Sequence, residues 1–161
     1  MLTFEPMSEE DLAAFIRKSI PEYAYDQTRS GNWLANEAVG KARAEFSQML
    51  PDGLQTPNAH LRTILDEDGK KIGMLWYYID PSRSLKTAFL IDFFLFSEAR
   101  HRGFEEMALQ VFEKEAGGMG VERVELQVFA HKTEDLKLYH ENAYQDTSVV
   151  LGKNLKKAEG A

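Results

Sequence analysis

Four consecutive residues near the middle of the chain, Arg100-His101-Arg102-Gly103, put two guanidinium groups, an imidazole and a glycine into one polar turn. That composition suits an anion, because arginine offers charge-assisted donors and glycine lets the main chain approach closely. The run that follows has apolar residues at Phe104, Met107, Ala108, Val111 and Phe112, a spacing of i, i+3, i+4, i+7, i+8 that predicts one face of a helix. The first N–H groups of a helix have no internal partner, and its dipole adds about half a positive charge there, so a phosphate at this turn is favoured. Asp92 is the second candidate. It is the one charge in Ala88-Phe89-Leu90-Ile91-Asp92-Phe93-Phe94-Leu95-Phe96, and a carboxylate buried in such a strand has its pKa raised toward a useful value for proton exchange. Glu125 projects from the polar face of a later strand, and His60 and His131 add the side-chain type that changes charge around neutral pH.

Positioning these groups requires a strand, a turn and a helix. Residues Ala88 to Phe96 are too few to cross a bilayer and read as a buried strand; the helix from Phe104 to Ala116 stops at Gly117-Gly118. Val121 to Ala130 alternates as a strand, with Val124, Leu126 and Val128 on one face and Glu125 and Gln127 on the other. Reached through a helix, it is expected to lie parallel to its neighbour. Upstream, Leu2 to Glu5 predicts a short strand, and Ser8 caps a helix through Leu12, Phe15 and Ile16 that Pro21 should end or kink near Ile20. A second helix is expected from about Trp33 to Met49, with Ala38, Ala42 and Phe46 on one face. A turn-rich loop, Leu50 to Pro57, comes next. His60 to Leu65 and Lys71 to Ile79 then form a hairpin about Asp66-Glu67-Asp68-Gly69. After His131-Lys132-Thr133, Thr133 caps a short helix, Glu134 to Glu141, and Tyr144 to Leu151 predicts the last strand. The order β-α-α-β-β-β-α-β-α-β is α/β with a mixed sheet.

Composition narrows the function. The 161 residues form a single expected domain, with Lys156 to Ala161 as a frayed tail. Nineteen basic against twenty-six acidic residues give a net charge of −7, which disfavours nucleic acid and anionic membranes as partners. Zero cysteines exclude disulfides, thiolate nucleophiles and thiolate metal sites and fit a cytoplasmic protein. The N-terminus turns acidic within five residues, unlike a signal peptide. The histidines at 60, 101, 131 and 140 show no ligand spacing with acids on one helix face, so no metal is expected.

The order of elements, the strand ending at Leu95-Phe96, the Arg100-His101-Arg102-Gly103 turn, the strand Val124 to Val128, and Leu138-Tyr139 before Ala143-Tyr144 together resemble the GNAT acetyltransferases. The likeness covers nearly the whole chain. It extends to a bacterial subgroup with a similar Leu-Pro-x-Gly-Leu-x-Thr-Pro segment, here Leu50 to Pro57, and a similar Ala-Phe-x-x-Asp-Phe strand, here Ala88 to Phe93. The resemblance implies a mostly antiparallel mixed sheet with helices on both faces and a central parallel strand pair.

It also implies acetyl-CoA as cosubstrate and a direct transfer to an amine acceptor, a small molecule or a protein or peptide. A homodimer is within the family's habit. The family motif Gln/Arg-x-x-Gly-x-Gly/Ala wraps the pyrophosphate; Arg100 and Gly103 match its first and fourth positions, His101, Arg102 and Phe104 fill the free ones, and Glu105 stands where a small residue is usual. Lys132, at a position often Asn in the family, is placed to reach a phosphate. The main chain at Leu95 and Phe96 would bind the pantetheine arm and thioester, Tyr139 would protonate the leaving thiolate, and Asp92 or Glu125 would take the proton of the acceptor. Glu105, Lys132 and Asp135 depart from the family pattern and support the alternative of a degenerate binding or regulatory module on the same fold.

Overall fold

A computed structural model describes residues 1–156 of the chain; most of the tail expected at Lys156 to Ala161 lies outside the described residues. Nine main elements follow in order: β1 (Thr3–Pro6), α1 (Glu9–Arg29), α2 (Ala35–Met49), β2 (Ala59–Leu65), β3 (Lys71–Asp80), β4 (Thr87–Leu95), α3 (Phe104–Gly118), β5 (Arg123–Leu126) and α4 (Thr133–Glu141). The strands form one sheet in the order β1-β2-β3-β4-β5. Every pairing is antiparallel except β4 with β5. Helices cover both faces: Phe15, Ala24, Ala42 and Phe46 of α1 and α2 pack on Met74 and Trp76, while Leu109, Phe112 and Ala116 of α3 pack on Leu75, Tyr77 and Leu90. Among the described residues, no helix is long and apolar enough to cross a membrane.

Local chemistry explains most of these boundaries. Ser8 and Asp11 form a reciprocal capping box at the start of α1, satisfying two amides that the helix cannot. The β2–β3 hairpin turns where the Asp66 carboxylate accepts from the amides of Asp68 and Lys70 and Gly69 adopts φ +76°. Pro21 neither ends nor breaks α1, contrary to the sequence expectation; the helix runs eight residues further, to Arg29. Ile20 and Ala24 bury the same face that Leu12 and Phe15 began, and this packing outweighs the lost hydrogen bond of an exposed proline. Thr133 is the first residue of α4 and Lys132 its cap, without a side-chain capping bond.

Two strand expectations are corrected. β5 is shorter than expected, ending at Leu126, and Tyr144 to Leu151 forms no strand. The parallel pair therefore lies at one edge of the five strands. β4 supplies the reason that β5 stops. Trp76 pairs with Asp92 but Tyr77 pairs with Leu90, so Ile91 is an extra residue, a bulge that bends its strand and shifts side-chain parity. Ala88 and Leu90 face α3, whereas Phe94 faces α1; Asp92 shares the parity of Phe94. The last β4–β5 pair is Leu90 with Leu126, so the two strands part at the bulge and leave an opening between them.

Candidate active site

The turn after β4 carries Arg100, His101 and Arg102 ahead of Gly103. A short 3-10 turn, Ser97–Ala99, leads to His101 at φ +59° and Gly103 at φ +82°. The left-handed region admits glycine without strain and costs a β-carbon-bearing residue such as His101. Gly103 caps α3, and no atom lies within 4 Å of the place a β-carbon would occupy. The first amides of α3 follow Gly103 and have no partner within the helix. Arg100 Nε donates to the Leu95 carbonyl at 3.1 Å, and the Arg102 guanidinium lies over the Phe104 ring at 5.1 Å. Glu105 Oε1 accepts the His101 N–H at 3.1 Å. One donor of the turn is therefore already taken by a carboxylate of the protein itself.

The main chain of β4 adds further donors. The Phe96 N–H donates to the Ile72 carbonyl at 2.8 Å, so this amide is committed to β3 and is not available to a ligand. In an antiparallel ladder the direction alternates; with this register, the amides of Phe94 and Asp92 also face β3, and those of Phe93 and Leu95 face the opening where β5 has ended. Of the two residues expected from the sequence, the Leu95 amide faces that opening, as does that of Phe93, while the Phe96 amide is used by β3.

Asp92 and Tyr139 line that opening from different elements. Both are crowded by protein yet keep part of their surface in solvent, as cleft-lining groups do. Burial pushes the Asp92 carboxyl up; the Ser19 hydroxyl, Lys132 and Lys18 oppose this, while the charge of Glu22 adds to it. Burial also raises the Tyr139 hydroxyl far above the ordinary tyrosine range, helped by the charges of Asp135, Tyr144 and Asp92. Tyr139 stays protonated at neutral pH, and among the described residues its hydroxyl makes no hydrogen bond. Tyr144 packs edge-on against it at 5.5 Å.

Asp26 ties the neighbouring loop together. Its carboxylate, on α1, meets His131 Nε2 at 2.8 Å and Lys132 Nζ at 3.0 Å. Burial works against the Lys132 charge, but Asp26 holds its pKa above the ordinary value. Lys132 is thus engaged with α1 instead of pointing free toward a phosphate. Burial raises Asp135, 4.0 Å from Lys132, against that cation's pull. Neither Asp26 nor the buried Ser19 stood out in the sequence, since the Asp26–His131 pair spans 105 residues and no local pattern announces it. Tyr23, hydrogen-bonded to Glu45 at 2.6 Å and to Gln27 at 2.8 Å, joins Trp33, Phe46 and Phe129 in an aromatic wall; burial and Glu45 push its pKa up to about 12. Glu125 lies elsewhere. It pairs with Phe89, before the bulge, and is held by Arg83 at 2.7 Å and Arg123 at 3.0 Å, which keep its carboxyl below the usual range. The structure does not bring it to Asp92 and Tyr139. Among the described residues there is no cluster able to hold a metal ion.

The sequence profile of the Acetyltransferase (GNAT) family matches residues 20–144. The chain belongs to the GNAT acetyltransferase family. This N-acetyltransferase is 33% identical over 155 residues to YycN of Bacillus subtilis (strain 168), an uncharacterized N-acetyltransferase, covering 96% of this chain and 98% of that one. It is 34% identical over 153 residues to YdgE of the same organism, covering 95% and 98%. The crystal structure of YycN superposes with a TM-score of 0.93 at 30% identity, covering 98% of this acetyltransferase and all of YycN. AAC(6')-Iy, solved with a bisubstrate analog, CoA-S-monomethyl-acetylneamine, shares the fold at a TM-score of 0.59 and 14% identity over 98% and 99% of the chains.

Proposed function

We propose that the chain, acting as one domain over residues 1–161, moves the acetyl group of acetyl-CoA directly onto the nitrogen of a cationic amine. The observation that supports this reading is Asp92 on β4 beyond the last β4–β5 pair, close enough for its charge to act on Tyr139 of α4, with the basic turn following β4. Acetyl-CoA, when bound, supplies the activated thioester. Arg100, Arg102 and the amides at the start of α3 hold its pyrophosphate, and the Leu95 and Phe93 amides hydrogen-bond the pantetheine arm and the thioester oxygen. Asp92, a stronger base than an exposed carboxylate, takes one proton from the ammonium and so frees the lone pair that bonds to the acetyl carbon; the second N–H proton leaves to solvent as the amide forms. Tyr139 gives its proton to the sulfur as the carbon–sulfur bond breaks. The net charge of −7 favours a cationic acceptor. AAC(6')-Iy, which binds CoA and an acetylated amine joined in one molecule, supports the reaction class.

The protein has no cysteine, so every thiol that appears when it is mixed with acetyl-CoA and an amine comes from CoA. Thiol release that depends on an oligo-cationic amine, and is slowed by about 10² to 10⁴ in Tyr139→Phe, is the expected result; no amine-dependent release from a protein that binds acetyl-CoA contradicts it. A second reading, a binding module without turnover, is favoured by Glu105 on the His101 amide. It predicts that contradicting result.

A further inference from the structure

Ser19, on α1, is 2% exposed, and among the described residues its Oγ makes no formed hydrogen bond. Buried hydroxyls are rarely left so. A helical serine or threonine has a ready acceptor in the carbonyl four residues back, and Thr28 of the same helix uses it, its Oγ1 donating to the Ala24 carbonyl at 3.0 Å. Ser19 does not. What its hydroxyl can reach follows from how α1 lies on β4. Phe15 stacks on Phe94 at 5.9 Å and meets Trp76 edge-on at 6.1 Å, and Lys18 Nζ lies 4.1 Å from the centre of the Phe94 ring. Trp76 is the cross-strand partner of Asp92, so Phe94, Trp76 and Asp92 share the face under α1. One helical turn after Phe15 the helix has moved along β4 from Phe94 to Asp92, and the residue above it is Ser19. The hydroxyl is close enough to act on the Asp92 carboxyl yet stops short of a formed bond.

We propose that Ser19 is the positioning residue of Asp92: its hydroxyl closes onto the ionised carboxylate, donates to one oxygen, and leaves the other directed at the opening where the acceptor nitrogen arrives. This rests on the reading of Asp92 as the base. A charged acceptor strengthens the bond, whereas a protonated carboxyl gains little from another donor. Ser19 therefore favours the form of Asp92 that can accept a proton, against the burial that disfavours it. The charged and titratable groups that act on Asp92 are Lys18 and Glu22 on α1, Lys132 ahead of α4, and Tyr139 on α4; Trp76, from β3, does not titrate. Both cations are already engaged, Lys18 with Glu22 at 2.6 Å and Lys132 with Asp26 at 3.0 Å. Unspent donors remain on Ser19 and on Trp76, whose buried Nε1 also lacks a partner. The Trp76 ring is fixed by edge contacts with Phe15 and Phe46, while a serine hydroxyl turns freely onto the carboxylate.

Ser19→Ala removes the hydroxyl and substitutes a stronger helix former. The first readout needs neither acetyl-CoA nor an acceptor: a carbon-13 NMR titration of the Asp92 side-chain carboxyl in the full chain, its signal identified by its loss in Asp92→Asn. The midpoint is expected at higher pH in Ser19→Ala than in the wild type, because the ionised form has lost a donor. In acetyl transfer, kcat/KM of Ser19→Ala should fall by about 3- to 30-fold at the acid end of the profile and by less at high pH. A midpoint that is unchanged or lowered in Ser19→Ala overturns the proposal, and so does a rate loss that is the same at every pH. A raised midpoint in a protein that transfers no acetyl group upholds the pairing of Ser19 with Asp92 and removes only the role of Asp92 as base.

Discussion

Tyr139 is a proton donor only if it holds its proton at working pH, and burial, with the charges of Asp135 and Asp92 nearby, raises its pKa in that direction. Tyr139→Phe keeps the ring and its packing; kcat should fall by about 10² to 10⁴, the usual worth of a general acid, with KM for acetyl-CoA within a few-fold. Asp92 must be ionised to work, and burial raises its pKa, so the acid limb of kcat/KM should sit above the ordinary carboxylate range and vanish in Asp92→Asn. The same shift has a signed effect on stability. Because the folded chain holds this proton more tightly than the unfolded one, ionisation costs native stability as pH rises from about 4 through the folded pKa. The melting temperature of Asp92→Asn relative to wild type should therefore rise over that window; a constant or falling difference would refute the assigned burial. Glu105 acts in the opposite sense on the cofactor. Its carboxylate holds the His101 amide, and Glu105→Ala should tighten acetyl-CoA binding by about 3- to 30-fold in calorimetry at low salt, at a helix cost of a few tenths of a kcal/mol. At this scale the sequence was informative where a residue broke its local pattern, as Asp92 does in an apolar strand. It was silent on Asp26, whose importance exists only once α1 and the β5–α4 loop meet.

At the scale of elements, β4 with its bulge decides which way Asp92 faces and where the ladder with β5 ends. One extra residue at Ile91 turns Asp92 from the α3 side to the α1 side and ends the ladder with β5 in the same place. Gly73, opposite Leu95 on β3, has no room for a side chain: a β-carbon would collide with the Phe94 carbonyl and come within 2.7 Å of the Leu95 side chain. Gly73→Ala should cost about 2–4 kcal/mol and weaken acetyl-CoA binding by displacing the end of β4. Pro21 offers the reverse experiment. Pro21→Ala restores a helix amide at an exposed site and should stabilise by about 1–3 kcal/mol, read as a melting midpoint raised by about 2–10 °C. The hairpin, the helix faces and the strand–turn–helix were all legible from period and turn chemistry. The continuation of α1 past Pro21 was not, because tertiary packing overrode a local breaker. The bulge was not either, since Ile91 looks like any other strand residue until its partner's register is known. The missing last strand has a different cause: alternation in Tyr144 to Leu151 signals a strand, but a strand forms only against a partner edge.

For the whole molecule, a net charge of −7 and one basic turn within it underlie the proposal of a polyanion at Arg100–Gly103 and a cationic acceptor. The central claim is that the turn binds acetyl-CoA, and thermal unfolding with and without acetyl-CoA tests it most directly. A ligand at about one hundred times its Kd adds roughly 2.7 kcal/mol, which for a chain of 161 residues raises the midpoint by about 5–10 °C. The account predicts that rise in the wild type and a larger one in Glu105→Ala at the same ligand concentration. No rise in either protein would contradict it.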